Sequence, residues 1–184
     1  MLQFTTATTE DQLNQILELQ YSNLPEQLSE QDIKSDGFLT CRHDLDLMRR
    51  MNTPHPHIIA LEDDHVQGYA LVLRQEMKGS VPILDPLFAK INTLKWNGQA
   101  MNEWSFFVMG QICVAKSHRG QGVFSGLYQK MREEYATTYQ ICITEVSARN
   151  ARSQQAHEKV GWETAHSYTA PDGHPWNLLV WHWC

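Results

Sequence analysis

Gln111-Ile112-Cys113-Val114-Ala115-Lys116-Ser117-His118-Arg119-Gly120-Gln121-Gly122-Val123-Phe124 is the stretch that decides the fold. It opens as an apolar strand and passes through a basic turn with two glycines. It then enters a run in which Val123, Phe124, Leu127, Tyr128, Met131 and Tyr135 recur at helical spacing. A helix N-terminus presents backbone N–H groups without a partner in the helix, together with the positive end of the helix dipole. Gly120 and Gly122 let the backbone approach an anion closely, and Lys116, His118 and Arg119 add positive charge. The stretch therefore predicts a phosphate-binding turn between a strand and a helix spanning Gly120–Tyr135. Two other phosphate loops do not fit. No GxxxxGKS/T string occurs, and in Gly120-Gln121-Gly122-Val123-Phe124-Ser125-Gly126 the third glycine falls one place late for a dinucleotide fingerprint. Taken alone, these residues leave open a loop whose glycines only serve chain geometry.

Upstream, Gln3–Ala7 is β-prone, and Thr8-Thr9-Glu10-Asp11 supplies caps and early acids for a helix through about Gln20. Ser29–Asp32 begins a second helical stretch that Gly37 interrupts, and Phe38–Met48 reads as an extended piece followed by a short helix. His57–Leu61 and Val66–Arg74 form a hairpin around Glu62-Asp63-Asp64-His65. A loop over Gly79–Pro86 precedes a short helix Leu87–Leu94, and Asn97-Gly98 is a turn signal. Trp104–Val114 is β-rich. Downstream, the continuous apolar run Gln140–Val146 reads as a strand covered on both faces. Asn150–Val160 reads as a helix with Asn150 as N-cap and Gly161 just past its end. Two strands, Glu163–Thr169 and Trp176–Trp183, close the chain around Pro171-Asp172-Gly173-His174. The order of elements is that of one mixed α/β domain over residues 1–184, a single sheet with helices on both faces.

Bulk properties narrow the classes. A chain of 184 residues with 42% hydrophobic and 20% charged residues is ordinary for one globular domain. The net charge of −6 argues against a nucleic-acid binder held by a basic surface. Neither a signal peptide nor a run of roughly 20 apolar residues is present, so the expectation is a cytoplasmic protein with no membrane partner. Cys113 and Cys142 lie in apolar runs and read as small buried hydrophobes in a reducing compartment. His55-Pro56-His57 with Asp63, Asp64 and His65 matches no strong metal-ligand spacing, and no metal is expected.

The quoted stretch resembles the phosphate-binding motif of the GNAT N-acetyltransferases: Gln or Arg, two residues of any kind, Gly, one more, then Gly or Ala, after an apolar strand. Arg119 and Gly122 match, and Phe124 departs, standing where a small residue is usual. A second stretch, Asn150-Ala151-Arg152-Ser153-Gln154-Gln155-Ala156-His157-Glu158-Lys159-Val160-Gly161-Trp162, is similar to the family's N-x-x-A/S-x-x-x-Y-x-x-x-G-F. Asn150, Ser153 and Gly161 fit, Trp162 replaces Phe, and His157 replaces Tyr. The resemblance implies a mostly antiparallel six- or seven-stranded sheet in which the fourth and fifth strands are a splayed parallel pair.

It also implies acetyl-CoA as cosubstrate. The backbone of Ile112, Cys113 and Val114 would bond the pantetheine amides. The N–H groups of Arg119, Gly120, Gln121, Gly122, Val123 and Phe124 would hold the pyrophosphate, and Asn150 and Ser153 would touch the pantetheine. The reaction implied is direct attack of an amine, on a small molecule or a protein α-amino group, on the acetyl thioester. Glu145, an acid in an otherwise apolar strand, is the candidate general base, and His157 is the candidate acid toward the leaving thiolate. A non-catalytic acyl-CoA sensor on the same fold is the alternative. Arg42-His43-Asp44 reads as a solvated helix start, with a substrate contact as its alternative. The tryptophans at 176, 181 and 183 read as core and a strand edge, with an acceptor lining or a homodimer contact as alternatives.

Overall fold

The computed structural model describes every residue except Asp32, Lys34, Ser35, Asp36, Gly37 and Cys184. The interruption expected at Gly37 thus lies outside the described residues, although Ile33 N–H does bond the Ser29 carbonyl in a helical turn (3.0 Å). Seven strands form one sheet: β1 (Gln3–Thr6), β2 (Ile58–Glu62), β3 (His65–Arg74), β4 (Phe106–Val114), β5 (Ile141–Ser147), β6 (Glu163–Thr169) and β7 (Pro175–His182). Their order is β1-β2-β3-β4-β5-β7-β6. β1/β2, β2/β3, β5/β7 and β6/β7 pair antiparallel, while β4 and β5 are parallel, with Phe106 opposite Ile141 and Val108 opposite Ile143. The helices whose residues are all described are α1 (Glu10–Tyr21), α2 (Leu45–Met51), α3 (Asp85–Ile91), α4 (Val123–Tyr135) and α5 (Ala151–Lys159). A small ribbon, Lys95–Trp96 with Gln99–Ala100, stands apart from the sheet.

Local chemistry sets most boundaries. Thr9 caps α1 in a capping box: its hydroxyl accepts from Gln12 N–H (3.2 Å), and the Gln12 carboxamide oxygen accepts from Thr9 N–H (3.1 Å). Asp44 caps α2 by accepting from Leu47 N–H (2.8 Å). The β2–β3 hairpin turns on Asp63 and Asp64, both at positive φ, and the small ribbon turns the same way on Asn97-Gly98. Two expectations need correction. The fourth helix begins at Val123 rather than Gly120, because Gly120 and Gly122 adopt φ +74° and +82°, which a right-handed helix excludes. The tryptophan-bearing strand β7 is not an edge, since it lies between β5 and β6.

The chain divides into two compact units, Met1–Val72 with Gly110–Glu133, and Leu73–Met109 with Glu134–Cys184. In the first, Ile16, Met48, Met51, Ile58, Tyr69, Leu71, Leu127 and Tyr128 are buried, and α1 packs on α2. The helix α4 sits close to its neighbours. A Cβ at Gly126 would run into the Phe4 ring, and one at Gly68 would crowd Val123, Leu127 and the Cys113 carbonyl at 3.2 Å. In the second unit, Phe107, Ile141, Cys142, Ile143, Leu178 and Leu179 are buried, and the Phe107 ring meets Tyr135, Tyr139 and Trp183 at 5.1–5.7 Å.

Candidate active site

In the first unit, β4 runs out at Val114 and a short 3-10 turn over Lys116–His118 leads to the glycines. The first intrahelical bond of α4 joins Gly126 N–H to the Gly122 carbonyl (2.9 Å), so the amides before it have no acceptor within the helix. Nothing lies within 4 Å of where a Cβ of Gly120 would be, and only the Ser125 hydroxyl reaches that distance at Gly122. These glycines are required by backbone conformation, and the space over them is open. The cradle fits a pyrophosphate, which needs converging amides and no intruding side chain.

Two cations of the turn are held by side-chain contacts within this unit. The Arg119 guanidinium donates to the Val114 carbonyl (3.1 Å) and the Asn23 side-chain oxygen (2.6 Å), tying the end of β4 to the chain beyond α1. His118 pairs with Glu62 at 3.0 Å. Just before the turn, the Gln111 carboxamide is the hub of a buried network. Its oxygen accepts from Tyr69 (2.6 Å) and from Gln20 (2.7 Å), and its nitrogen donates to the Cys41 carbonyl (2.9 Å). Gln20 in turn donates to His43 Nδ1 (2.6 Å) and accepts from His43 N–H (2.7 Å). His43 is therefore a buried anchor, not part of a solvated helix start, and burial pushes its pKa down to about 4. Burial also pushes the Cys113 thiol up to about 12, so this cysteine is inert at neutral pH.

The second unit holds the acid. Glu145 stands on β5 opposite Leu178, and its Oε2 accepts a short hydrogen bond from the Tyr168 hydroxyl. Burial pushes the carboxyl up to about 7, and the bond from Tyr168 pulls it partly back. Two residues on, Ser147 Oγ and His174 Nε2 share a hydrogen bond of 2.7 Å, and the His174 ring meets Trp176 at a tilt with centroids 4.8 Å apart. Asn150 caps α5 by accepting from Ser153 N–H (3.1 Å). His157 is 2% exposed, its Nδ1 bonds the Ser153 carbonyl (2.7 Å), and its ring meets Trp162 edge-on. Burial pushes its pKa down to about 4. The imidazole is thus neutral at pH 7, with the Nδ1 proton given to the carbonyl.

The sequence matches the Acetyltransferase (GNAT) family over residues 13–162. The chain belongs to this family. No curated protein matches it in sequence. Among solved structures, the GNAT chain is similar to Arabidopsis thaliana NAA60 in complex with acetyl-CoA (TM-score 0.66, 10% identity, 99% of each chain covered). It is also similar to an N-acetyltransferase from Staphylococcus aureus Mu50 (0.63, 18%, 100% of this chain and 99% of that one). A third is the ribosomal-protein-S18-alanine N-acetyltransferase from Escherichia coli (0.60, 14%, 99% and 94%). At these identities the likeness concerns the GNAT fold. Among the described residues no cluster of three His, Cys, Asp or Glu gathers as metal ligands, and no helix is long and apolar enough to cross a membrane. Two residues of this GNAT chain escaped the sequence reading. Gln20 reads in the sequence only as the approximate end of the first helix, on its apolar face, and Tyr168 stands in a strand with no motif.

Proposed function

We propose that this protein is an acetyl-CoA-dependent N-acetyltransferase that moves an acetyl group directly to an amine, on a small molecule or a protein α-amino group. The observation that carries the reading is Glu145: a largely buried carboxyl in an apolar strand, held by one hydrogen bond and poised at about 7. A general base works best with a pKa near the operating pH, and burial supplies that value here.

The residues divide the work. Backbone amides from Arg119 to Phe124 hold the pyrophosphate, and the Ile112–Val114 backbone bonds the pantetheine amides. Asn150 serves first as the cap of α5, and Ser153 as the carbonyl that fixes His157. Acetyl-CoA, when bound, supplies a thioester carbonyl carbon open to nucleophilic attack. An α-amino group has a pKa of about 7.7–8.0, so a minor fraction is neutral at pH 7. Glu145 takes the proton that the amine gives up on forming its new bond to carbon. Assigning the proton of the leaving sulfur to His157 conflicts with its chemistry: a neutral ring whose one N–H is committed to a carbonyl is a poor donor. We assign His157 to packing and to holding the first turns of α5.

The burial of His157 favours a second reading, a non-catalytic acyl-CoA sensor, since a buried neutral histidine stands where the family's tyrosine stands. Incubating the protein with acetyl-CoA and a panel of amines, and reading free thiol, separates the two. Amine-dependent thiol release is the expected result. Tight acetyl-CoA binding with no release on any amine would favour the sensor.

A further inference from the structure

We propose that Tyr168 is the positioning residue for Glu145: its hydroxyl holds Oε2, so that Oε1 is the oxygen that exchanges a proton with the acceptor amine. The inference rests on Glu145 being the base.

The strand register places the tyrosine. β6 carries a bulge between Thr164 and His166: Thr164 lies opposite Leu179, but His166 lies opposite Leu178 and Tyr168 opposite Trp176. A one-residue shift transfers every later side chain to the other face of a strand. Without the bulge, Tyr168 would point away from the face that carries Glu145. With it, Ser147, Trp176 and Tyr168 form one cross-strand row, and Glu145, Leu178 and His166 form the next row on the same face. Tyr168 then reaches diagonally over β7 to the carboxyl of Glu145. Among the described residues Oε1 of Glu145 has no hydrogen-bond partner, so the two oxygens are distinguished.

The ring itself is held in place. Lys90 of α3 places its ammonium 5.5 Å from the centroid of the Tyr168 ring, His166 stacks on that ring at 6.4 Å, and Ala170 and Trp176 complete its buried cluster. Among the described residues, the ionisable groups around the pair are Lys90 from α3, His166 from β6, and Asp172 and His174 from the β6–β7 turn. Asp172 and the carboxyl both raise the pKa of the Tyr168 phenol, behind its burial. The hydroxyl therefore stays protonated and can only donate to Glu145. A donor to the charged form lowers an acid's pKa, and this is the direction of Tyr168's effect against the larger effect of burial.

The test replaces the hydroxyl and keeps the ring. In Tyr168→Phe, the carboxyl of Glu145, followed by 13C NMR and assigned by the signal missing in Glu145→Gln, should titrate about one pH unit higher. Ser167→Ala, which removes the neighbouring bond from Ser167 to Asn177 (2.7 Å), should leave that midpoint unmoved. In acetyl transfer, Y168F should lose about fivefold in kcat/KM at pH 7, from the smaller ionised fraction of Glu145, and recover at high pH. An unmoved midpoint in Y168F, or an equal shift in S167A, overturns the proposal. A shifted midpoint with unaltered transfer at every pH would retain the hydrogen bond, remove Glu145 as base, and so overturn the positioning role. Because the titration needs no turnover, the two failures are distinguishable.

Discussion

Gln111 and Glu145 are both polar side chains set in apolar strands, one in each compact unit, and the protein satisfies them in different ways. Gln111 accepts two hydrogen bonds and donates one, to partners 42, 91 and 70 residues away in the chain. It carries no charge and does not titrate. Glu145 receives a single bond, from Tyr168, and its carboxyl is pushed up to about 7. A buried polar group with its bonding filled is a tie that fixes backbone. A buried acid with one oxygen left over can exchange a proton. In the first unit the polar group ties the strand before the glycine turn to three distant segments, and in the second it is left with a single bond.

Acid pH should separate the two units most strongly. His43, His57 and His157 are buried, and their pKa values fall from 6.5 to about 4, 3 and 4. A depressed histidine takes up its proton first in the unfolded chain, so the stability it contributes is present above pH 6.5 and lost as pH falls toward the folded value. Glu145 has the opposite sign. Its raised pKa contributes stability below about 4.5, lost as pH rises through about 7. In the second unit His157 and Glu145 oppose each other, whereas in the first His43 and His57 add. Lowering pH from 7 to 4.5 should cost on the order of 5 kcal/mol by urea unfolding. Amide-exchange protection, corrected for intrinsic rates, should fall first in the unit containing His43 and His57. Equal loss in both units would break the comparison.

Gln111→Leu should come next in size. It strands the Tyr69 hydroxyl and the Cys41 carbonyl, at about 1–3 kcal/mol for each group left unpaired, while the Gln20 amide keeps its bond to His43. The net loss should be about 3 kcal/mol in chemical denaturation at pH 8. Glu145→Gln at the same pH should be neutral or stabilising, because it removes an unfavourable buried charge. If both variants lose alike, the distinction between tie and reactive group fails. The smallest effect belongs to Gly122→Ala. Forcing a Cβ into φ +82° costs about 1–2 kcal/mol. It should also weaken acetyl-CoA binding several-fold by calorimetry, because the strain is relieved by moving the amides of the cradle.

What was legible in the sequence follows the same division. The glycine turn, the Thr9 cap, the Asp63-Asp64 hairpin and the Asn150 cap are each specified within a few neighbouring residues, so local chemistry reveals them. The charge of Arg119 is visible in the sequence, whereas its partner Asn23, distant in the chain, is not. Gln111 was visible only as the polar start of an apolar strand, since its partners come from three distant segments. Tyr168 was hidden by a bulge. A strand read by simple alternation assigns it to the wrong face, and no residue in Thr164-Ala165-His166 announces the extra step. His157 could be aligned with a tyrosine, but its burial, which decides its protonation, came only with the packing of α5.

If Glu145 is the base of an amine acetyltransferase, the pH dependence of amine-dependent thiol release must report its ionisation. With acetyl-CoA and a productive amine, wild-type kcat/KM should show an acid limb centred near pH 7. Glu145→Gln should lose that limb and about 10²–10³ in kcat/KM. Near-wild-type rates in Glu145→Gln across the whole pH range would show that Glu145 is not the base.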